Sequence, residues 1–297
     1  MSAAAEMRPP DALWLAPLRG VTVRAFREAF AAPIAEAGFA GAVAPFIPAN
    51  PGIRVNDRLL ADLADGAGGA LPVVPQVITK HPGAMRELLK GLKARGFRRV
   101  DLNAGCPFPM IRRRGRGSGL LRSPDVLESL LEAGCEEMGP GGFSLKTRLG
   151  LESADELAAL MPMIRRYPLA VLTVHARTAA QMYEGCCDVG RFAEVAAMSS
   201  CPVMYNGDLP FPVAASPARL AMVGCSFIRA LGGREDSAAL LWGYVEASRA
   251  ELCGAWPVLG RVKELVSYWR GWPRWGRLWP TVKICRSLEE LRMAVGR

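Results

Sequence analysis

The sequence predicts an α/β fold: a (β/α)8 barrel of the TIM type followed by a small all-α C-terminal domain. Three observations carry that expectation. Short β-prone runs recur at the spacing of single strand–helix units. From Ser237 onward the pattern turns helical with few β-rich runs. The length of 297 residues suits one barrel with an appendage.

The runs are Leu13–Ala16, Gly41–Ala44, Val73–Val77, Val100–Leu102, Gly142–Lys146, Val171–Val174, Val203–Tyr205 and Phe227–Arg229. Their starts lie 28, 32, 27, 42, 29, 32 and 24 residues apart, leaving one long insertion after the fourth. Segments between them read as helices. Pro82–Arg95 places Met85, Leu88, Leu89 and Leu92 at helical spacing, and Ser123 with Pro124 behind it signals the start of Asp125–Ala133. The barrel is expected over residues 1–236 and the helical domain over 237–297.

A barrel gathers its chemistry at the C-terminal ends of its strands. Reading just past each run gives Pro17, Pro45, Gln76, Asn103 to Cys106, Lys146 to Arg148, His175 to Arg177, Asn206 to Asp208, and Gly232 with Gly233. A thiol, an amine and an imidazole thus converge on one rim.

Charge narrows the partner. The formal net charge is +9, and it is concentrated. Residues 93–122 carry nine basic side chains against Asp101, and residues 241–297 carry ten against five acids. Two basic segments flanking one rim suit a polyanion. Six of seven tryptophans (242, 256, 269, 272, 275 and 279) fall in the tail; four or more are expected in its core, and any others could stack on bases.

Other classes recede. Eight scattered cysteines, with no Cys-x-x-Cys pair, and only two histidines argue against a structural zinc site and weaken a Ser-His-Asp reading, so no metal is expected. The thiols suit a reducing cytoplasm. No uninterrupted apolar stretch suits a transmembrane helix, and MSAAAEMRPPDALWLAP lacks the pattern of a secretory leader.

Five strings in order give the chain a family resemblance. They are Ala16-Pro17-Leu18-Arg19-Gly20-Val21-Thr22, Asp101-Leu102-Asn103-Ala104-Gly105-Cys106-Pro107, Lys146-Thr147-Arg148-Leu149-Gly150, His175-Ala176-Arg177-Thr178 and Asn206-Gly207-Asp208. Together they resemble the tRNA-dihydrouridine synthases. The tail run Arg261–Tyr268 is similar to the bacterial DusC subgroup, associated with uridine 16 of the D-loop.

The resemblance implies FMN-dependent reduction of the uracil C5–C6 bond in tRNA, with NADPH or NADH as reductant. Hydride would pass from flavin N5 to C6, and Cys106 would protonate C5 as general acid. Lys146 would offset negative charge near flavin N1/O2, and Gln76 would bond the ring edge. Ala16, Pro17, Leu18 and His175 would also line the flavin site, with Asn206, Gly207, Asp208, Gly232 and Gly233 in the loops near its phosphate. Asn103, Arg177 and Tyr183 would face the substrate. The run Arg112-Arg113-Arg114-Gly115-Arg116-Gly117-Ser118-Gly119 would form a lid on tRNA phosphates, its glycines giving mobility and its arginines reaching the phosphates. A monomer is expected.

Two positions depart from the family pattern. Val23 stands where the family has Asp, and an ungapped comparison puts Gly232 where a Gly-Arg-Gly string carries its Arg. A barrel flavoenzyme for a small molecule and a non-catalytic RNA-binding barrel remain the competing readings.

Overall fold

A computed structural model describes residues 7–63 and 71–296. Residues 1–6, which open the segment tested for a leader, lie outside the described residues. The strands are β1 (Ala12–Leu15), β2 (Phe39–Val43), β3 (Ile47–Pro48), β4 (Val73–Val74), β5 (Gln76–Ile78), β6 (Val100–Ala104), β7 (Phe143–Gly150), β8 (Leu172–Thr178), β9 (Val203–Asn206) and β10 (Leu220–Val223). The helices are α1 (Arg24–Ala29), α2 (Ala31–Glu36), α3 (Pro82–Ala94), α4 (Pro109–Arg112), α5 (Pro124–Met138), α6 (Glu156–Ile164), α7 (Val189–Met198), α8 (Cys225–Leu231), α9 (Ser237–Glu251), α10 (Ala255–Trp269), α11 (Pro273–Ile284) and α12 (Leu288–Val295).

The ten strands make an eight-stranded parallel barrel. β4 and β5 are one strand broken at Pro75, which has no N–H for the ladder, although its carbonyl still accepts from Asp101 N at 2.9 Å. β2 and β3 likewise form one strand broken across Ala44–Phe46. β4 pairs with β2, whereas β5 pairs with both β3 and β6. The order β3-β5-β6-β7-β8-β9-β10-β1-β2-β4 therefore closes on itself.

The expected eighth strand is corrected. Phe227–Arg229 lies inside helix α8, and the strand is β10, seven residues earlier. Leu220, Ala221 and Met222 are good helix formers, while Phe227 and Ile228 favour strands. Parallel pairing with both β1 and β9 overrides those local preferences.

Two apolar layers hold the barrel. The main core packs between the strands and the surrounding helices. A small inner cluster of Ala16, Val43, Met204 and Met222 lies apart from it. Alternate residues of a strand share a face, so Lys146 shares one with Arg148, His175 with Arg177, and Asp101 with Asn103.

Val23 caps α1 without a side-chain bond, since a valine has none to give. Two distant carboxylates serve instead: Glu251 accepts from Ala25 N at 2.8 Å, and Asp62 accepts from Arg24 N. The departure from the family pattern is thus answered locally, and α1 is tied to α9.

Beyond residue 237 the chain is helical, and the same core continues into it. Tyr244 meets Phe26 and Phe30 edge-on at 6.0 Å, and Trp269 meets Phe30 at 6.3 Å. Trp269 and Trp275 are fully buried, Trp242 and Trp279 pack partly against the core, and Trp272 and Trp256 are 42% and 68% exposed. No described helix is long and apolar enough to cross a membrane. No group of three His, Cys, Asp or Glu among the described residues is placed to hold a metal.

Candidate active site

The turn after β6 is built by Asn103. Its Oδ1 accepts from Cys106 N at 2.9 Å and Gly105 N at 3.2 Å, folding the chain so that the thiol faces the barrel mouth. From behind, Ser118 N and Oγ donate to the Cys106 carbonyl at 3.1 and 2.9 Å. Arg148 Nε donates to the Gly105 carbonyl at 3.0 Å. The catalytic-looking thiol is therefore clamped from three directions. Burial pushes its pKa up, outweighing the nearby cations Arg148, Arg19 and Lys146, so the group stays a protonated thiol at neutral pH.

One chain of amides leads inward. Because Asn103 Oδ1 is committed to backbone donors, its Nδ2 must donate, and it does so to Gln76 Oε1 at 2.8 Å. Gln76 Nε2 must then donate as well, and Asp101 Oδ2 accepts at 2.7 Å. Two backbone N–H groups thus set the orientation of both amides, with Asp101 as the terminal acceptor. Burial raises the Asp101 pKa to about 7, opposed by the Gln76 bond and by Lys146.

Lys146 reaches over β8 to Asn206 Oδ1 at 3.0 Å, and Asn206 Nδ2 donates to the Met222 carbonyl at 2.9 Å. Burial and the neighbouring Arg148 lower the Lys146 pKa to about 8. His175 is held well below its ordinary pKa by burial and by Arg148, Lys146 and Arg177, and is neutral. Arg177 Nη1 lies 3.3 Å from His175 Nε2; since a guanidinium only donates, Nε2 accepts and Nδ1 carries the proton.

Arg177 braces more than it presents. It donates to both Asp208 carboxylate oxygens, at 2.8 and 2.7 Å, and to the Glu184 and Gly185 carbonyls. Asp208 also accepts from Cys187 N at 3.0 Å. Tyr183, 52% exposed, stands at the edge, its ring 6.1 Å from His175 and 5.4 Å from the Arg148 guanidinium.

The structure brings Cys106, Asn103, Gln76, Lys146, His175, Asn206 and Arg177 to one mouth, with Ala16 in the apolar cluster within the barrel. Pro17 and Leu18 follow β1, and Thr22 Oγ1 closes that turn by donating to the Ala16 carbonyl at 2.9 Å. Gly207 leaves room for its neighbours: a Cβ there would lie 2.5 Å from Cys187 Sγ and 2.9 Å from the Tyr205 hydroxyl.

Two expectations are corrected. Gly232 and Gly233 sit at the far end of α8, under the indoles of Trp269 and Trp272, where a Cβ would come within 2.6 and 2.5 Å. They are two helical turns from the end of β10, so the residues at that strand end are Gly224, Cys225 and Ser226. The turn that follows the strand reads Gly224-Cys225-Ser226 and carries no arginine.

The second correction concerns the basic loop. It is packed rather than hinged: Gly117 and Gly119 are buried, and a Cβ on either would strike Cys106 or the Arg112 carbonyl. Arg112 pairs with Glu152 at 3.6 Å and Arg116 donates to Asn50, while the exposed side chains of Arg113 and Arg114 make no hydrogen bond or ion pair among the described residues.

Arg148 and Asp101 are site residues that the sequence alone does not single out. Two-residue periodicity from Lys146 and Asn103 was the available signal, but the length of β7 was not legible. The mouth fits a flavin ring by its donor set: a buried cation, two oriented amides and a thiol above apolar side chains.

Comparison with known proteins agrees. The profile of the dihydrouridine synthase family matches residues 14–226. A tRNA-dihydrouridine synthase B of Vibrio cholerae is 30% identical over 205 residues, 67% of this chain and 61% of that one. A probable tRNA-dihydrouridine synthase 1 of Synechocystis is 32% identical over 154 residues, 52% of this chain and 43% of its own. The matches therefore span less than two thirds of these relatives. Among solved structures, morphinone reductase superposes with a TM-score of 0.52 at 12% identity, covering 73% of this chain and 83% of its own. The old yellow enzyme homologue of Zymomonas mobilis gives 0.51 at 13%, covering 76% and 90%. Those two likenesses concern the barrel alone. With the family profile covering the barrel from β1 into α8, the chain belongs to the dihydrouridine synthase family.

Proposed function

We propose that this protein reduces a uridine in the D-loop of tRNA to 5,6-dihydrouridine, using FMN and NADPH or NADH. The observation that carries the reading is the Cys106 thiol, kept protonated and clamped at a mouth that also holds Lys146 and the oriented Gln76 and Asn103 amides. Reduced flavin, when bound, would supply the hydride for uracil C6. Cys106 then gives its proton to C5, and a thiol with a raised pKa keeps that proton available at neutral pH. Lys146, buried and held by Asn206, would stabilise negative charge on a bound flavin. His175, neutral with its proton on Nδ1, offers a donor without adding charge. Cys106 is 9% exposed, so the target base must be extruded from the tRNA to reach it.

The tail run Arg261–Tyr268 supports position 16 as the target, and the exposed Arg113 and Arg114 suit phosphates beside the mouth. The barrel over 1–236 would carry the chemistry and 237–297 the tRNA contacts, in a cytoplasmic monomer. The test is anaerobic: flavin on the protein, reduced by NADPH, should be reoxidised on adding unmodified tRNA transcript. Reoxidation by small enones or orotate-like compounds, with none by tRNA, would overturn the reading.

A further inference from the structure

A second cavity lies outside the barrel mouth, between α8 and the α10–α11 hairpin. It measures about 650 Å³ and is lined by Arg229, Ser267, Tyr268, Arg270 and Trp279 with two glycines. That volume suits a nucleotide-sized occupant. Its lining holds two guanidinium groups, two aromatic side chains and a hydroxyl, with no carboxylate. Neither Arg229 nor Arg270 makes a side-chain hydrogen bond or ion pair among the described residues. Both residues are exposed to solvent.

The cavity is joined to the rim. Cys225 opens α8 directly after β10, and Arg229 follows four residues later on the same helical face. Tyr268, coming from α10, lies within hydrogen-bonding reach of Cys225. In the closed sheet β10 stands four strands from β6, on the opposite side of the barrel from Cys106 and the loop bearing Arg113 and Arg114. A strand of nucleic acid that crosses the mouth would meet free arginines on both banks.

We propose that this cavity is a nucleotide subsite for the RNA strand flanking the target uridine, with a phosphate between Arg229 and Arg270 and a base against Trp279. A planar, permanently charged fork suits phosphate oxygens, and an indole stacks on any base without regard to sequence. The site rests on the tRNA reading above and deepens it by naming where the strand continues.

The test is the Arg229→Ala/Arg270→Ala variant of the full chain, with tRNA binding measured across a salt series. Removing two phosphate contacts should weaken binding about tenfold and lower the slope of log affinity against log salt by about two. Trp279 packs partly on the core, so Trp279→Phe and Trp279→Leu are compared: the first should bind nearly as wild type, the second about fivefold or more weakly. Unchanged tRNA affinity in the double variant overturns the subsite. A raised KM for NADPH or weakened flavin binding, with tRNA affinity unchanged, also overturns it and assigns the cavity to a free nucleotide. Arginine-dependent tRNA binding by a wild-type protein that forms no dihydrouridine would instead overturn the activity and leave the subsite standing.

Discussion

Lys146 and Asn206 meet over β8 at the barrel mouth, joined by a 3.0 Å hydrogen bond from the amine to the amide oxygen. Asn206 is itself anchored on the Met222 carbonyl, so β7, β9 and β10 meet through two side chains. Losing that partner should free the amine. Asn206→Ala is expected to weaken flavin binding about tenfold, the scale of one charge-assisted hydrogen bond. A flavin titration followed by fluorescence quenching measures it. With a pKa of about 8, Lys146 loses its charge as pH rises through that value. Affinity for an anionic ring should therefore fall above pH 8 in the wild type, and Lys146→Met should abolish that pH dependence.

Cys106→Ala should lower single-turnover reduction by about 10²- to 10⁴-fold while flavin and tRNA binding persist. Its thiol pKa is raised above 9.0, so the acid form persists through neutral pH and is lost only as pH rises through the raised value. The Cys106-dependent part of the rate should stay flat from pH 6 to 8 and decline in the alkaline range. A decline centred near pH 7 would remove Cys106 from the role.

Asp101 makes a stability prediction of opposite sign to a surface carboxylate. Its folded pKa is raised from 3.8 to about 7, so the folded protein binds more protons than the unfolded chain between those values. Its contribution must then fall as pH rises from 4 to 7. Lys146 is lowered from 10.5 to about 8, so between 8 and 10.5 the unfolded chain binds more protons and its contribution rises with pH. Together they place the weakest contribution of this pair between pH 7 and 8 in flavin-free protein. Asp101→Asn can still accept from Gln76, and it should flatten the acid side of a urea-denaturation series.

Gly117 and Gly115 separate packing from backbone conformation. Both have positive φ, at +56° and +70°, but a Cβ on Gly117 would lie 2.8 Å from the Cys106 Cβ and carbonyl oxygen, whereas one on Gly115 meets only Lys80 Cδ at 3.5 Å. Gly115→Ala should cost about 1–2 kcal/mol for the left-handed backbone alone. Gly117→Ala should cost more and displace the Cys106 turn, lowering turnover as well as stability. Thermal melts paired with single-turnover rates resolve the two effects.

Much of the barrel was legible because strand–helix units repeat at a nearly constant length. Its eighth strand was not, since Leu220–Val223 carries the residues of a helix and is made a strand by neighbours on both sides. Strand ends are hidden in the same way. β7 and β8 run on to Gly150 and Thr178, so Arg148, His175 and Arg177 lie within the wall rather than in loops beyond it. Glycines misled for a physical reason: sequence shows that a side chain is missing, but not whether the space serves motion, a ligand or a neighbouring ring. At Gly232 and Gly233 it serves Trp269 and Trp272. Partners separated by tens or hundreds of residues, such as Glu251 on the first turn of α1, leave no local signal at all.

The central claim is most directly tested by incubating the protein with FMN, NADPH and unmodified tRNA transcript and mapping dihydrouridine by position. The account predicts one reduced uridine in the D-loop, at position 16, and none with Cys106→Ala in the same time. A protein that binds both flavin and tRNA yet leaves every uridine intact would contradict it.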